Sequence, residues 1–471
     1  MKFLNRESER ARLNALLTRG AAGFAAIWGR RRVGKSRLLT EWCRERDGLY
    51  TVADASAAPV QRRYFAEAVA ARLPGFAESE YPDWKALLNR LARDAKATDW
   101  HGPLVVDEFP YWVLADSSLP GILQNWVDEQ ARSGGLVLVI AGSSQRMMQG
   151  MLLDRSAPLY GRAGELMALD PLPAGWIGSA LGIKDGCKQV EAYAIWGGIP
   201  RYWELAESFG GDLDAAVDAL VLDPLGALHG EPDRLLMEET PPATALRPLL
   251  DVIGGGAHRL SEIAGRLSLP ATALARPLGR LVELGLVGRE TPFGVAEKNS
   301  KRSLYVLDDP FCRFWFRVVA PNRGLLVQAG RNVRLAVWRR QREQLCAAVW
   351  EDLCRRYVGR NAGRIAALAE GAGFWLPAKR WWRGSDPEWD VVSVTDTGRL
   401  ALLGEVKWSS TPFTAAALER IGSALAARPR PPGLPDSARP VVFVPRVAPS
   451  VRARVADMTV VDAEEVMAGL Q

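Results

Sequence analysis

A chain of 471 residues is too long for one hydrophobic core, and its length suggests three or four domains. Hydrophobic content of 48% and charged content of 24% are those of an ordinary soluble globular protein, and no apolar run nears the roughly 20 residues that span a bilayer. With a start (Met-Lys-Phe-Leu-Asn-Arg-Glu) too polar for a signal peptide, the expectation is a cytoplasmic protein with no membrane partner. Five cysteines at scattered positions (43, 187, 312, 346, 354) suit reduced thiols and offer no CxxC pair, and three histidines leave little room for histidine chemistry. A net charge of +6 leans weakly toward a polyanionic partner.

Phe3 to Leu17 reads as an amphipathic helix with Leu4, Leu13, Leu16 and Leu17 on its apolar stripe. Gly23 to Trp28 is a short buried strand. It runs into Gly29-Arg-Arg-Arg-Val-Gly-Lys-Ser36, which fits G-x-x-x-x-G-K-[ST]. A triphosphate needs several backbone N–H groups turned inward around it, and glycines let the chain bend that tightly. Gly29, Arg30, Arg31, Arg32, Val33, Gly34, Lys35, Ser36 and Arg37 are therefore candidates to surround the phosphates of ATP. Lys35 would reach the β- and γ-phosphates and Ser36 would bind Mg²⁺. The helix that starts at Ser36 aims its positive N-terminal end at the same place.

Leu49 to Ala53 reads as a second strand, and Gln61 to Leu73 and Tyr81 to Ala95 as helices. The apolar strand from Pro103 ends in Asp107-Glu108-Phe109. Asp107 can join Ser36 in the Mg²⁺ shell, and Glu108 can orient or deprotonate the attacking water. Leu136 to Ala141 is a further buried strand, ending in Gly142-Ser143-Ser144. A serine hydroxyl there can sense the γ-phosphate or simply cap the next helix; both readings stand. Arg162 likewise reads either as a supplier of transition-state charge, in this chain or to a neighbour in a homo-oligomer, or as a surface arginine. The alternation of strands and helices predicts an α/β core with a largely parallel sheet.

From Asp170 the pattern turns helical, with a break at Gly197-Gly198 and a restart at Pro200; residues 171–235 read as a helical lid. Residues 243–307 spell three short helices, the second capped by Ser261, and a hairpin around Pro292-Phe293-Gly294. That order is a winged helix-turn-helix, whose third helix carries Arg276 and Arg280 on one face. Such a unit binds duplex DNA or serves as a protein contact. Residues 311–385 hold 15 Lys or Arg against four acids, interleaved with tryptophans at 315, 338, 350, 375, 381 and 382. This composition suits nucleic-acid contact, although arginine faces are also ordinary solvated surface. A hairpin follows, with Asp390 opening one strand and Glu405-Val-Lys407 in the next. Asp390 and Glu405 can hold Mg²⁺, Lys407 can position water, and Glu351, on a helix from Gln344 to Tyr357, is a candidate third acid. Ala415 to Ala427 is a helix, Pro440 to Pro445 a strand, and a last helix starts at Ala463.

With these motifs in hand the chain resembles prokaryotic archaeal-type ATPases of the STAND/AAA+-related P-loop group, joined to a C-terminal restriction-endonuclease-like domain. FLNRESER, GRRRVGKS, LVVDEF, the strand ending GSS, PLYGR, GGIPRYW and the WDVV…GEVK pair carry the resemblance. It implies four domains: a P-loop core (1–170), a helical lid (171–235), a winged helix-turn-helix (236–310) and a nuclease-like α/β domain (311–471). It implies Asn5 and Arg6 near the adenine, Ser144 in the sensor place and Pro200 touching the nucleotide. Asp390, Glu405 and Lys407 match the PD-(D/E)xK signature, with Trp389 standing where that signature often has proline. The implied function is an ATPase whose nucleotide state controls a DNA-associated winged helix and nuclease-like domain. The alternative is a signalling switch whose silent C-terminal domain binds a protein partner.

Overall fold

The computed structural model describes residues 2–18, 23–131, 135–239, 246–296, 302–384, 386–449, 451, 454–455 and 457–471. Two compact units divide it, Leu4–Pro171 and Leu172–Gln471.

In the first unit, β1 (Phe24–Trp28), β2 (Leu49–Val52), β3 (Leu104–Asp107), β4 (Leu138–Gly142) and β5 (Glu165–Ala168) form one sheet in the order β2-β3-β4-β1-β5. Every pairing is parallel. β1 (FAAIW), β3 and β4 are buried along their whole length, as expected of strands covered on both faces. The helix Trp84–Ala97 starts where the Asp83 side chain accepts from the Ala86 N–H, and it buries Trp84, Leu87, Leu88 and Leu91 against the core. The sequence does not announce β5: four residues at the sheet edge, only two of them fully buried, carry little periodicity. What matters for function is the position of β4. It separates β1 from β3, so the segments leaving these three strands emerge side by side.

In the second unit, after the short helix Ile177–Leu181, helices Gly186–Trp196 and Pro200–Glu207 lie on either side of Gly197, whose φ of 56° breaks the first as the sequence predicts. Helices Arg247–Gly254, Leu260–Leu267 and Ala271–Glu283 precede the antiparallel pair β6 (Val287–Glu290) and β7 (Leu304–Leu307). The start of the expected helix at Ala243 lies outside the described residues. Ser261 is not the cap of the second helix. Arg259 holds that position, and Glu262 accepts from its N–H at 3.2 Å. The helix expected from Gln344 to Tyr357 is part of a 30-residue helix, Arg331–Arg360.

A six-stranded mixed sheet ends the chain, in the order β12-β13-β11-β10-β9-β8. Its strands are β8 (Lys379–Trp381), β9 (Trp389–Val394), β10 (Ala401–Val406), β11 (Ala438–Phe443), β12 (Arg454–Val455) and β13 (Met458–Val461). β9 and β10 form the expected antiparallel hairpin. β10 and β11 are parallel, joined by a connection that includes the helix Ala415–Ala427. Among the described residues no helix is long and apolar enough to cross a membrane.

Candidate functional site

The turn after β1 is built from conformations few side chains allow. Gly29 has φ 157°, and a Cβ there would lie 2.5 Å from the Leu169 carbonyl oxygen. Arg32 (φ 67°) and Gly34 (φ 98°) complete the bend into the helix Lys35–Glu45. Lys35 is buried, its Nζ donating to the carbonyls of Gly29 at 2.7 Å and Arg30 at 3.2 Å. Val33 is buried in the core, and Arg30 is buried beside it. Ser36 Oγ donates to Asp107 Oδ2 at 2.6 Å, which joins the loop after β1 to the end of β3. The same carboxylate oxygen accepts from Tyr50 Oη on β2 at 2.7 Å. Burial, and then the charge of Asp107, pushes the Tyr50 hydroxyl well above its ordinary range, so it stays a donor.

Glu108 follows with φ 52° and turns toward β4, where Ser143 donates to its Oε2 through Oγ (2.9 Å) and N–H (3.3 Å). The residue that meets Glu108 is Ser143. Ser144 is the N-cap of the helix Gln145–Leu152 and makes no side-chain cap bond there. Of the two residues expected near the adenine, Asn5 (φ 59°) and Arg6 (φ 80°) both have left-handed backbones. The Arg6 guanidinium is committed to Glu9 (2.8 Å) and to the carbonyls of Asp170 (2.6 Å) and Val33 (3.2 Å), so it braces the phosphate-type loop from behind. Arg162 pairs with Asp128 at 2.9 Å and donates to the Pro158 carbonyl at 2.8 Å; acting elsewhere requires breaking that pair. Arg37 lies in the first turn of the helix Lys35–Glu45, and Pro200 is the first residue of its own helix in the second unit.

With this geometry in view, residues 3–204 match the family model of an ATPase domain found predominantly in Archaea. The chain carries an archaeal-type ATPase domain. That domain makes it an ATP-hydrolysing enzyme. Residues 315–421 match a second family model, described as archaeal and bacterial proteins of unknown function. An uncharacterized protein of Methanocaldococcus jannaschii is 27% identical over 408 residues, spanning 86% of this chain and 87% of that protein. Among solved structures, a Walker-type ATPase of Pyrococcus abyssi is similar with a TM-score of 0.53 and 18% identity, over 67% of this chain and 96% of that one. The ORC2 protein of Aeropyrum pernix, in ADPNP–ADP complexes, gives a TM-score of 0.46 and 14% identity over 74% of this chain and 95% of that one. The likeness to the Pyrococcus structure is one of fold.

Beyond the ATPase domain, the β9–β10 register of Gly404 against Val391, extended by one pair, brings Glu405 level with Asp390. The Val406 N–H donates to Asp390 Oδ2 at 2.9 Å. Burial and the charge of Glu405 raise the Asp390 pKa; burial and the charge of Asp390 raise that of Glu351 on the helix Arg331–Arg360. These three acids are neighbours, yet among the described residues no group of three or more His, Cys, Asp or Glu is arranged to hold a metal ion. At Glu405, Lys407 Nζ stands 2.6 Å from one carboxylate oxygen and Arg428 Nη1 stands 2.6 Å from the other.

The basic stretch 311–385 spends much of its charge on pairs within the fold. Arg313, Arg323, Arg331, Arg334, Arg339, Arg342, Arg355, Arg356, Arg364 and Arg380 all stand in ion pairs, several with acids far away in sequence such as Asp214, Asp218 and Glu191. The six interleaved tryptophans are all buried. Ten of the fifteen basic residues thus have acidic partners within the fold, and the aromatic rings are core.

Proposed function

We propose that residues 29–37 bind ATP with Mg²⁺, and that nucleotide state controls the remaining modules of a DNA-associated switch. The observation that carries this reading is the 2.6 Å contact of Ser36, in the first turn of the helix Lys35–Glu45, with Asp107 at the end of β3, two oxygen donors beside a glycine turn where a Cβ at Gly29 has no room. Ser36 and Asp107 fit a hard cation with oxygen ligands. Mg²⁺ held there supplies neutralising charge at the phosphates. Gly29 to Gly34 turn their N–H groups around the phosphates, and Lys35 adds a point charge from within the same loop. Glu108 orients the attacking water, and Ser143 rather than Ser144 holds Glu108 for that task. Asn5 and the backbone of Arg6 line the adenine side. ATPase assays on Lys35→Ala and Glu108→Gln test the assignment: both should lose nearly all turnover, and full rates in both would refute it.

In the same proposal residues 171–235 form the lid, 236–310 a winged helix-turn-helix and 311–471 a PD-(D/E)xK nuclease-like domain. Arg276, exposed on the helix Ala271–Glu283, is the candidate for duplex contact; Arg280 is already paired with Glu283 at 3.1 Å. Cation pairing at both oxygens of Glu405 favours the second reading of the output end, a catalytically silent domain that binds a partner. Duplex-binding titrations separate the two. Phosphate contacts give a steep loss of affinity between about 50 and about 200 mM salt, whereas no binding at low salt points to a protein partner.

A further inference from the structure

Arg428 caps the C-terminal end of the helix Ala415–Ala427 and is partly buried, its side chain 17% exposed. Three contacts fix it. Nη1 donates to Glu405 Oε2 at 2.6 Å and to the Glu388 carbonyl at 2.5 Å, and the guanidinium stacks over the Trp389 ring, 4.9 Å from its centroid. Trp389 is buried, and its own Nε1 donates to the Pro429 carbonyl at 3.0 Å, so one indole holds the 428–429 segment by both its face and its edge. Lys407 takes the other oxygen of Glu405, and the Val406 N–H takes Asp390 Oδ2.

A Mg²⁺-type ion needs carboxylate lone pairs pointing at it from close to 2 Å, in near-octahedral array. Glu405 has both oxygens turned to cations, and a dication placed beside an ammonium and a guanidinium meets repulsion in a poorly screened site. Arginine keeps its charge at any working pH, and its planar fork suits both the carboxylate and the indole face. The residues present therefore do not fit a divalent ion as they stand.

We infer that Arg428 is the resident counter-cation of this carboxylate site, standing where a nuclease would carry its divalent ion, with Trp389 as its platform. The inference rests on reading Asp390, Glu405 and Lys407 as a nuclease-like set, and it makes the C-terminal domain one that engages its partner without a divalent metal. Trp389, the departure from the proline common in that signature, thereby has a task.

Iron-directed backbone cleavage of the full chain tests this, with Fe²⁺, ascorbate and peroxide as the probe and fragment sizes locating each bound ion. The native chain should give no cuts around residues 388–407. Arg428→Gln should open cuts there, and adding Glu405→Gln should abolish them. Arg428→Met, which keeps the packing of the stem, serves if the glutamine variant fails to fold, and Arg428→Lys should behave as the native chain. Cuts around 388–407 in the native chain would overturn the inference while leaving the nuclease-like set in place. No cuts there in either folded uncharged variant would overturn both.

Discussion

Ser143 and Glu108 are bound twice to each other, the serine hydroxyl and its own N–H both donating to Glu108 Oε2 at 2.9 and 3.3 Å. This clamp spans the ends of β3 and β4. Truncating the hydroxyl leaves the weaker bond alone and lets the glutamate explore other rotamers. One hydrogen bond of about 1 kcal/mol corresponds to roughly a five- to tenfold change in rate. Ser143→Ala should therefore lower ATPase kcat by about that factor with KM for ATP little changed, while Ser144→Ala should stay within about twofold. Steady-state phosphate release measures both, and equal effects of the two variants would contradict the clamp.

Arg6 is a second lever on the same loop. Its guanidinium is buried and reaches the carbonyls of Val33 and Asp170. Arg6→Ala leaves two carbonyls short of a donor, at about 1–3 kcal/mol for the pair. The expected outcome is weaker ATP binding together with a lower Tm, read by calorimetry on the ATP-free and ATP-bound chain. Arg6→Lys, which cannot span both carbonyls, should recover only part of either quantity.

The Asp390 carboxyl is held above its usual pKa by burial and by Glu405, so its ionised form opposes folding at neutral pH. A raised folded pKa gives stability that is present at low pH and lost as pH rises through that value. Asp390→Asn removes the charge, and its side-chain oxygen can still accept from Val406. The variant should melt higher at pH 7 by about 2 °C, with the difference shrinking toward pH 4. Thermal melts across that range check the sign.

Asp352 shows the opposite sign. Burial works to raise its pKa, but Arg313 at 2.8 Å, Arg355 at 2.5 Å and the charge of Arg356 pull it down to about 2. Its stabilisation is complete above the ordinary carboxylate value and is lost as pH falls toward 2. Asp352→Asn should cost roughly 2 kcal/mol or more at neutral pH, because two cations lose their partner. Melting curves of native and variant chains should draw together between about pH 4 and pH 2; parallel curves would show that the arginines do not act on this carboxyl.

The ATPase core was legible because its motifs impose backbone geometry: Gly29 and Gly34 are glycines for conformational reasons, and the strand ending at Asp107 is apolar throughout. Tyr50 escaped notice because a tyrosine on a strand carries no spacing signal, and its link to Asp107 exists only once β2 and β3 pair. Choosing between Ser143 and Ser144 required knowing which way Glu108 turns, which its left-handed φ decides. The pairing of the basic stretch was hidden for a different reason. Net charge summed along a segment ignores acids supplied by distant segments, and Asp214, Asp218 and Glu191 are such acids. Arg428 likewise gave no signal, since it lies 23 residues beyond Glu405 in a Pro/Arg-rich loop.

The helix Arg331–Arg360 ties itself to partners 116 to 151 residues earlier, through Arg334 to Asp218, Arg339 to Asp214 and Arg342 to Glu191. These anchor points are spread along more than two turns of one rigid rod. Twisting the rod by a single residue, about 100°, would carry all three cations off their acids together. Displacement along this shaft is consequently all-or-none: it either stays latched at every tooth or slips at every tooth, which is the mechanical behaviour of a ratchet rather than of a spring.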